Sequence, residues 1–230
     1  QLNTLRVQTS RPRVEACALS ALALLARDIA VLAEDLSLFT TAEFGFMSLD
    51  RGFTTGSSIM PQKRNPDVVE LTRAKAALFP GWLAQALAVG ALPSGYHRDY
   101  QCTKGPVIDA VDTAASMLAV VARLPGAITV DAARCRAAVT SELLATERAY
   151  ALVRQGVPFR EAYRRIARSS RGAARGLPVR GKISLPDYPG APGRLGLNEN
   201  ARERRGELGW NRRTRGALES AWRRLLTLRP

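Results

Sequence analysis

From Arg13 to Phe39 the apolar residues recur at helical spacing, and the middle of the run has hardly any polar face. A helix that is apolar nearly all round packs among other helices, so this stretch reads as a buried member of a bundle. The segment "TTAEFGFMSLDRGFTTGSS" follows and reads as a loop rich in Gly, Thr and Ser. Start signals then converge: Asn65 as N-cap, Pro66 at the first helical position, Asp67 and Glu70 in the first turn. The helix opened there is expected to reach about Val89, with a bend at Pro80-Gly81. A second polar segment, "ALPSGYHRDYQCTKGP", separates it from another long apolar helix over 106–124. Further helices are expected over 131–155 and 158–170. An irregular Pro- and Gly-rich stretch over 172–198 and a last amphipathic helix over 214–228 complete the pattern. No alternating strand pattern of useful length and no repeat occurs. The fold class is therefore all-α, a long-helix bundle over 1–127 followed by a smaller helical domain over 128–230 with an irregular basic tail.

Composition narrows the class. At 46% hydrophobic and 23% charged residues, the 230-residue chain has ample material for a buried core. Its first residue is glutamine, and it opens almost directly into a helical pattern, so it is expected to lack an N-terminal part. Charge is uneven. Residues 1–150 hold 15 Lys+Arg against 14 Asp+Glu, whereas 151–230 hold 19 against 6. A basic tail can track an anionic polymer, but here the arginines lie among Gly and Pro without interleaved aromatics, which weighs against nucleic acid as a partner. Lysine occurs only at Lys63, Lys75, Lys104 and Lys182, so each one is a point charge kept in an arginine-rich chain. Cys17, Cys102 and Cys135 are odd in number and far apart, which argues against a disulfide framework or a zinc site and fits a cytoplasmic location. The most apolar run is interrupted at Arg27-Asp28 and Glu34-Asp35, too soon to span a bilayer.

The densest polar chemistry lies in "TTGSSIMPQKRNPD", Thr54 to Asp67. A helix start at Asn65 presents free N–H groups and a positive dipole end, with Lys63 and Arg64 just before it. Such a site suits a carboxylate or a phosphate. Ser57 and Ser58 lie on a glycine-containing segment able to close over a ligand, and a serine becomes a base or nucleophile only where its alkoxide is stabilised. Met60 reads as an apolar anchor for the loop. Local chemistry alone leaves open a plain surface loop with a capped helix.

"GSSIMPQKRNP" resembles the signature loop of the fumarase/aspartase superfamily, with Gly56, Ser57, Ser58, Met60, Pro61, Lys63 and Asn65 at all the fixed positions. Gln62 and Asp67 are typical of its argininosuccinate lyase branch. "LPSGYHRDYQCTKGP" is similar to that branch's second substrate-binding segment, with Tyr96, Gln101 and Lys104 at the family's spacing. The similarity runs from about residue 10 to 170, with "GAPGRLGL" as a weaker continuation.

The resemblance implies a bundle of the fumarase/aspartase type and a reversible β-elimination of argininosuccinate to arginine and fumarate, without metal or organic cofactor. It implies Ser57 as base, Lys63 as charge stabiliser, and Asn65, Tyr96, Gln101 and Lys104 as substrate-binding groups. It also implies a homotetramer whose active sites are shared between subunits, and a catalytic histidine in an earlier segment that this chain lacks. His97, the sole histidine, reads as a loop residue. Two other readings remain: a different fumarate-releasing lyase of the superfamily (aspartase or adenylosuccinate lyase), and a non-catalytic helical scaffold.

Overall fold

The computed structural model describes residues 4–90, 92, 93, 95, 97–171, 179 and 185–227. The chain divides into two units, Gln1–Ala138 and Val139–Pro230.

The first unit opens with α1 (Thr4–Thr9) and α2 (Arg13–Phe39). Although α2 is apolar on most of its surface, the unit buries one stripe of it, Ala16, Leu19, Ala26, Ile29, Ala33 and Leu36. The spacing of three, four or seven is that of one helical face. Past α2 come β1 (Met47–Leu49), a 3-10 turn (Arg51–Phe53), β2 (Thr55–Gly56) and β3 (Arg64–Asn65). The chain then runs back along α2 as α3 (Asp67–Ala76) and α4 (Phe79–Val89). A second 3-10 turn (Arg98–Thr103) leads into α5 (Lys104–Val121), which returns parallel to α2, and α6 (Leu124–Ala127), β4 (Ile128–Val130) and α7 (Ala132–Ala137) close the unit.

The core is built from this up-down-up path. Leu19, Ala26 and Ile29 of α2 meet Ala76, Phe79 and Ala86, and from α5 Ala110, Ala114 and Met117. A second cluster, Ala33, Leu36, Val69 and Leu124, sits toward the C-terminal end of α2. Small residues on the facing stripes let the helix backbones approach closely, and the larger Phe79, Leu19 and Met117 fill the space between them. By length and composition α2 could cross a membrane, yet its buried stripe packs on α3, α4 and α5.

The second unit contains α8 (Ala145–Arg154), α9 (Phe159–Arg171) and α10 (Leu197–Thr227). Gly156, at φ +90°, ends α8 with a Schellman closure: its own N–H reaches the Val153 carbonyl and that of Val157 reaches Leu152. The Pro158 carbonyl then accepts the first bonds of α9.

Several boundaries differ from the sequence pattern. The break in the return helix falls at 77–78 rather than 80–81, because Pro80 has no N–H for the carbonyl of Ala76, the last residue of α3. The expected helix over 131–155 is two pieces, α7 and α8. The last helix begins at Leu197 rather than 214. Short ladders also occur within the helical fold: β1 pairs with β4 antiparallel, Ser48 opposite Thr129, and β2 pairs with β3. The β1–β4 pairing keeps 128–130 in the first unit, beyond the expected boundary at 127.

Candidate active site

The signature loop is the tip of a β-hairpin. Thr55 pairs with Asn65 and Gly56 with Arg64, so Ser57 and Lys63 are the first and last residues of the connecting loop. Asn65 is therefore a strand residue and not the N-cap. Pro66 takes the cap position, its carbonyl accepting from the N–H groups of Val69 and Glu70, and no side chain caps the helix. The helix begins at Asp67, which puts Asn65 one position before the cap. The Thr55 hydroxyl donates instead to the Asp67 carboxylate, tying the outgoing strand to the first turn of α3.

Ser57 is half-buried, and its Oγ accepts from two backbone N–H groups, Ile59 at 3.2 Å and Met60 at 3.1 Å. The pair forms a small nest around the oxygen. Hydrogen bonds to an oxyanion favour it over the neutral hydroxyl, so this geometry lowers the cost of a serine alkoxide. The N–H of Lys63 meets the Met60 carbonyl at 3.1 Å and closes the tip. Its side chain is exposed and makes no hydrogen bond or ion pair among the described residues, leaving the ammonium available to an incoming anion. Met60 is itself exposed, so it does not anchor the loop within this chain.

The second segment lies elsewhere. Tyr96 is outside the described residues. Gln101 sits on the 3-10 turn Arg98–Thr103, exposed, and Lys104 is the first residue of α5 rather than part of a loop. The His97 ring contacts the Pro93 carbonyl through Nε2 at 3.1 Å, a local loop contact.

The two segments occupy opposite ends of the bundle. The hairpin feeds Val69, which packs on Ala33 and Leu36 near the C-terminal end of α2. The 98–104 turn is bonded to Arg11, just before the N-terminal end of α2. At ~1.5 Å per residue, the stretch of α2 between those ends separates them by roughly 30 Å. One copy of this chain does not bring Ser57, Lys63 and Asn65 together with Gln101 and Lys104.

The family described as "Lyase" matches residues 5–81, and that described as "Argininosuccinate lyase C-terminal" matches residues 142–187. The argininosuccinate lyase of Sorangium cellulosum is 47% identical over 204 residues, covering 87% of this chain and 46% of that protein. The chain belongs to the argininosuccinate lyase family. The enzyme of that name from Stenotrophomonas maltophilia is 40% identical, over 86% of the chain and 46% of its own length. The chain thus spans about half the length of the curated relatives it matches. Among solved structures, EDDS lyase in complex with formate is similar at a TM-score of 0.55 and 30% identity, over 65% of this chain and 30% of that one. A fumarate lyase:delta crystallin from Brucella melitensis, at 0.56 and 18% over 75% of this chain and 40% of its own, shares the fold. The all-α, fumarase/aspartase-type architecture is that of these neighbours.

Two features of the site were not legible in the sequence pattern. The amide pair behind Ser57 Oγ depends on how the tip is folded. The Thr55–Asp67 bond joins residues on either side of the motif, and no spacing rule announces it.

Proposed function

We propose that this chain supplies the carbanion-forming part of a carbon–nitrogen lyase that splits argininosuccinate into arginine and fumarate. The observation that carries the reading is the nest at Ser57, an oxygen held by two backbone amides on a loop that also carries Lys63 and Asn65.

The difficulty in this reaction is a weakly acidic C–H beside a carboxylate. Ser57, as alkoxide, takes that proton, and the electron pair moves onto the neighbouring carboxylate as a dianion. Lys63 supplies a compact positive charge to it and Asn65 orients it. Collapse of the dianion forms the C=C bond of fumarate and breaks the C–N bond. The departing nitrogen takes its proton from an acid on a segment outside this chain. Tyr96, Gln101 and Lys104 bind the substrate's remaining polar ends. The positive charge needed is that of lysine and backbone amides.

The separation of the two segments supports a shared site, the hairpin of one copy meeting the 96–104 segment of another. Exposed apolar residues support the same assembly. Leu24 is 70% exposed and Ile108 58% exposed on helices apolar nearly all round, and a homotetramer would cover such faces. The family, with the three free cysteines, supports a cytoplasmic location.

The test joins this chain behind the N-terminal half of the Sorangium relative and follows fumarate absorbance with argininosuccinate. Turnover of argininosuccinate is expected. A folded hybrid that instead makes product from fumarate with ammonia or AMP, and ignores arginine, would overturn the substrate assignment.

A further inference from the structure

Arg11, just before α2, belongs to neither motif, yet it reaches 89 residues ahead in sequence to touch the second one. Its Nη2 donates to the Tyr100 carbonyl at 3.3 Å and to Thr103 Oγ1 at 3.2 Å. The Thr103 hydroxyl in turn donates to the same Tyr100 carbonyl at 2.8 Å. The guanidinium carbon also lies 5.9 Å from the centre of the Tyr100 ring. Glu15, one helical turn on, orients the fork by accepting from Arg11 Nε at 2.5 Å.

This is more than a surface ion pair. The Arg11 and Glu15 side chains are 24% and 15% exposed, and Thr103 and Tyr100 are buried. A charge-assisted hydrogen bond is shorter and stronger than a neutral one, and the low local dielectric strengthens it further. The guanidinium is rigid and planar: Nε and Nη2 both lie 2.5 Å from the Glu15 carboxylate, and the same Nη2 reaches the turn. A lysine ammonium could not hold both in the same geometry. What the fork holds is the turn that carries Gln101 and delivers Lys104 at the start of α5.

We propose that Arg11 is a positioning residue for substrate binding. It locks the Arg98–Thr103 turn onto the N-terminal end of α2, so that Gln101 and Lys104 are presented in one fixed arrangement. The role in turnover rests on the lyase reading above, whereas the clamp itself does not. Arg11 does not touch the reacting atoms. Its removal loosens the grip on substrate more than it slows the bond-breaking step.

Two measurements test this. In the 230-residue chain, amide hydrogen exchange is compared between the parent and Arg11→Met. Faster exchange confined to 98–106, with the core of α2 unchanged, is expected. No change, or acceleration spread over the whole first unit, overturns the clamp. In the hybrid described above, Arg11→Lys and Arg11→Met are expected to lose about 10- to 100-fold in kcat/KM, because small misplacements of binding groups carry such factors. The loss should reside in KM, with kcat nearly kept, and Thr103→Val should add little to Arg11→Met because both remove the same clamp. A loss confined to kcat, or an Arg11→Lys variant equal to the parent, overturns the positioning role. A soluble hybrid that never turns over argininosuccinate refutes the lyase reading instead, and the exchange result still decides the clamp.

Discussion

Replacing Ser57 by alanine removes one oxygen from an exposed hairpin tip and should leave the fold almost untouched. Its chemical effect should be large. Each hydrogen bond to a charged partner contributes ~1.5–3 kcal/mol. The two amides at 3.2 and 3.1 Å would then stabilise the alkoxide by about 3–6 kcal/mol once the loop has closed and water is excluded. General-base catalysis contributes about 10²- to 10⁴-fold in rate. In the hybrid with the Sorangium N-terminal half, Ser57→Ala should lower kcat by about a thousandfold or more, with KM within about threefold of the parent. The assay is initial fumarate absorbance over a range of argininosuccinate concentrations, with a thermal melt as control. A variant that keeps kcat and loses only in KM would show that Ser57 binds substrate and takes no proton.

Two further substitutions separate the site from the scaffold. Lys63→Met should cost about 10²–10³ in kcat, the range for losing one group that stabilises developing negative charge, and a wild-type rate in that variant would remove Lys63 from the mechanism. Phe79, buried at the start of α4 with its ring edge-on to Trp82 at 5.1 Å, belongs to the core cluster that draws residues from α2, α3, α4 and α5. Phe79→Ala should destabilise the first unit by about 3–5 kcal/mol by urea denaturation, and a loss below ~1 kcal/mol would mean that the core does not close around it.

The bundle was legible in the sequence because periodicity is set by burial. Arg13–Phe39 was readable end to end from its apolar residues alone, and the fold class followed. Boundaries set by hydrogen bonds were less legible. Asn65, Pro66 and Asp67 carry every local mark of a capped helix start, but the helix begins at Asp67 with Pro66 at the cap, and Asn65 pairs with Thr55 across the hairpin. The same ladder explains why a helical reading overlooked β2 and β3, since two-residue strands have no period to detect. The residue types of the candidate site were visible in the motif. Their placement at opposite ends of α2 was not, because it depends on the direction of each helix in the bundle. Arg11 was invisible for a related reason, since its partners lie some 90 residues away and share no motif with it.

The sharing of one site between copies of the chain, the Ser57 hairpin of one and the Gln101–Lys104 turn of another, is the step on which the proposed function rests. It is tested by mixing two inactive hybrids, Ser57→Ala and Lys104→Met, unfolded together in equal amounts and refolded. If each site takes its hairpin from one copy and its turn from another, about one quarter of the sites in a randomly mixed oligomer regain both groups. Fumarate production should then recover to roughly a quarter of the parent rate. A mixture as inactive as its two components, at confirmed mixed assembly, would contradict a site shared between copies.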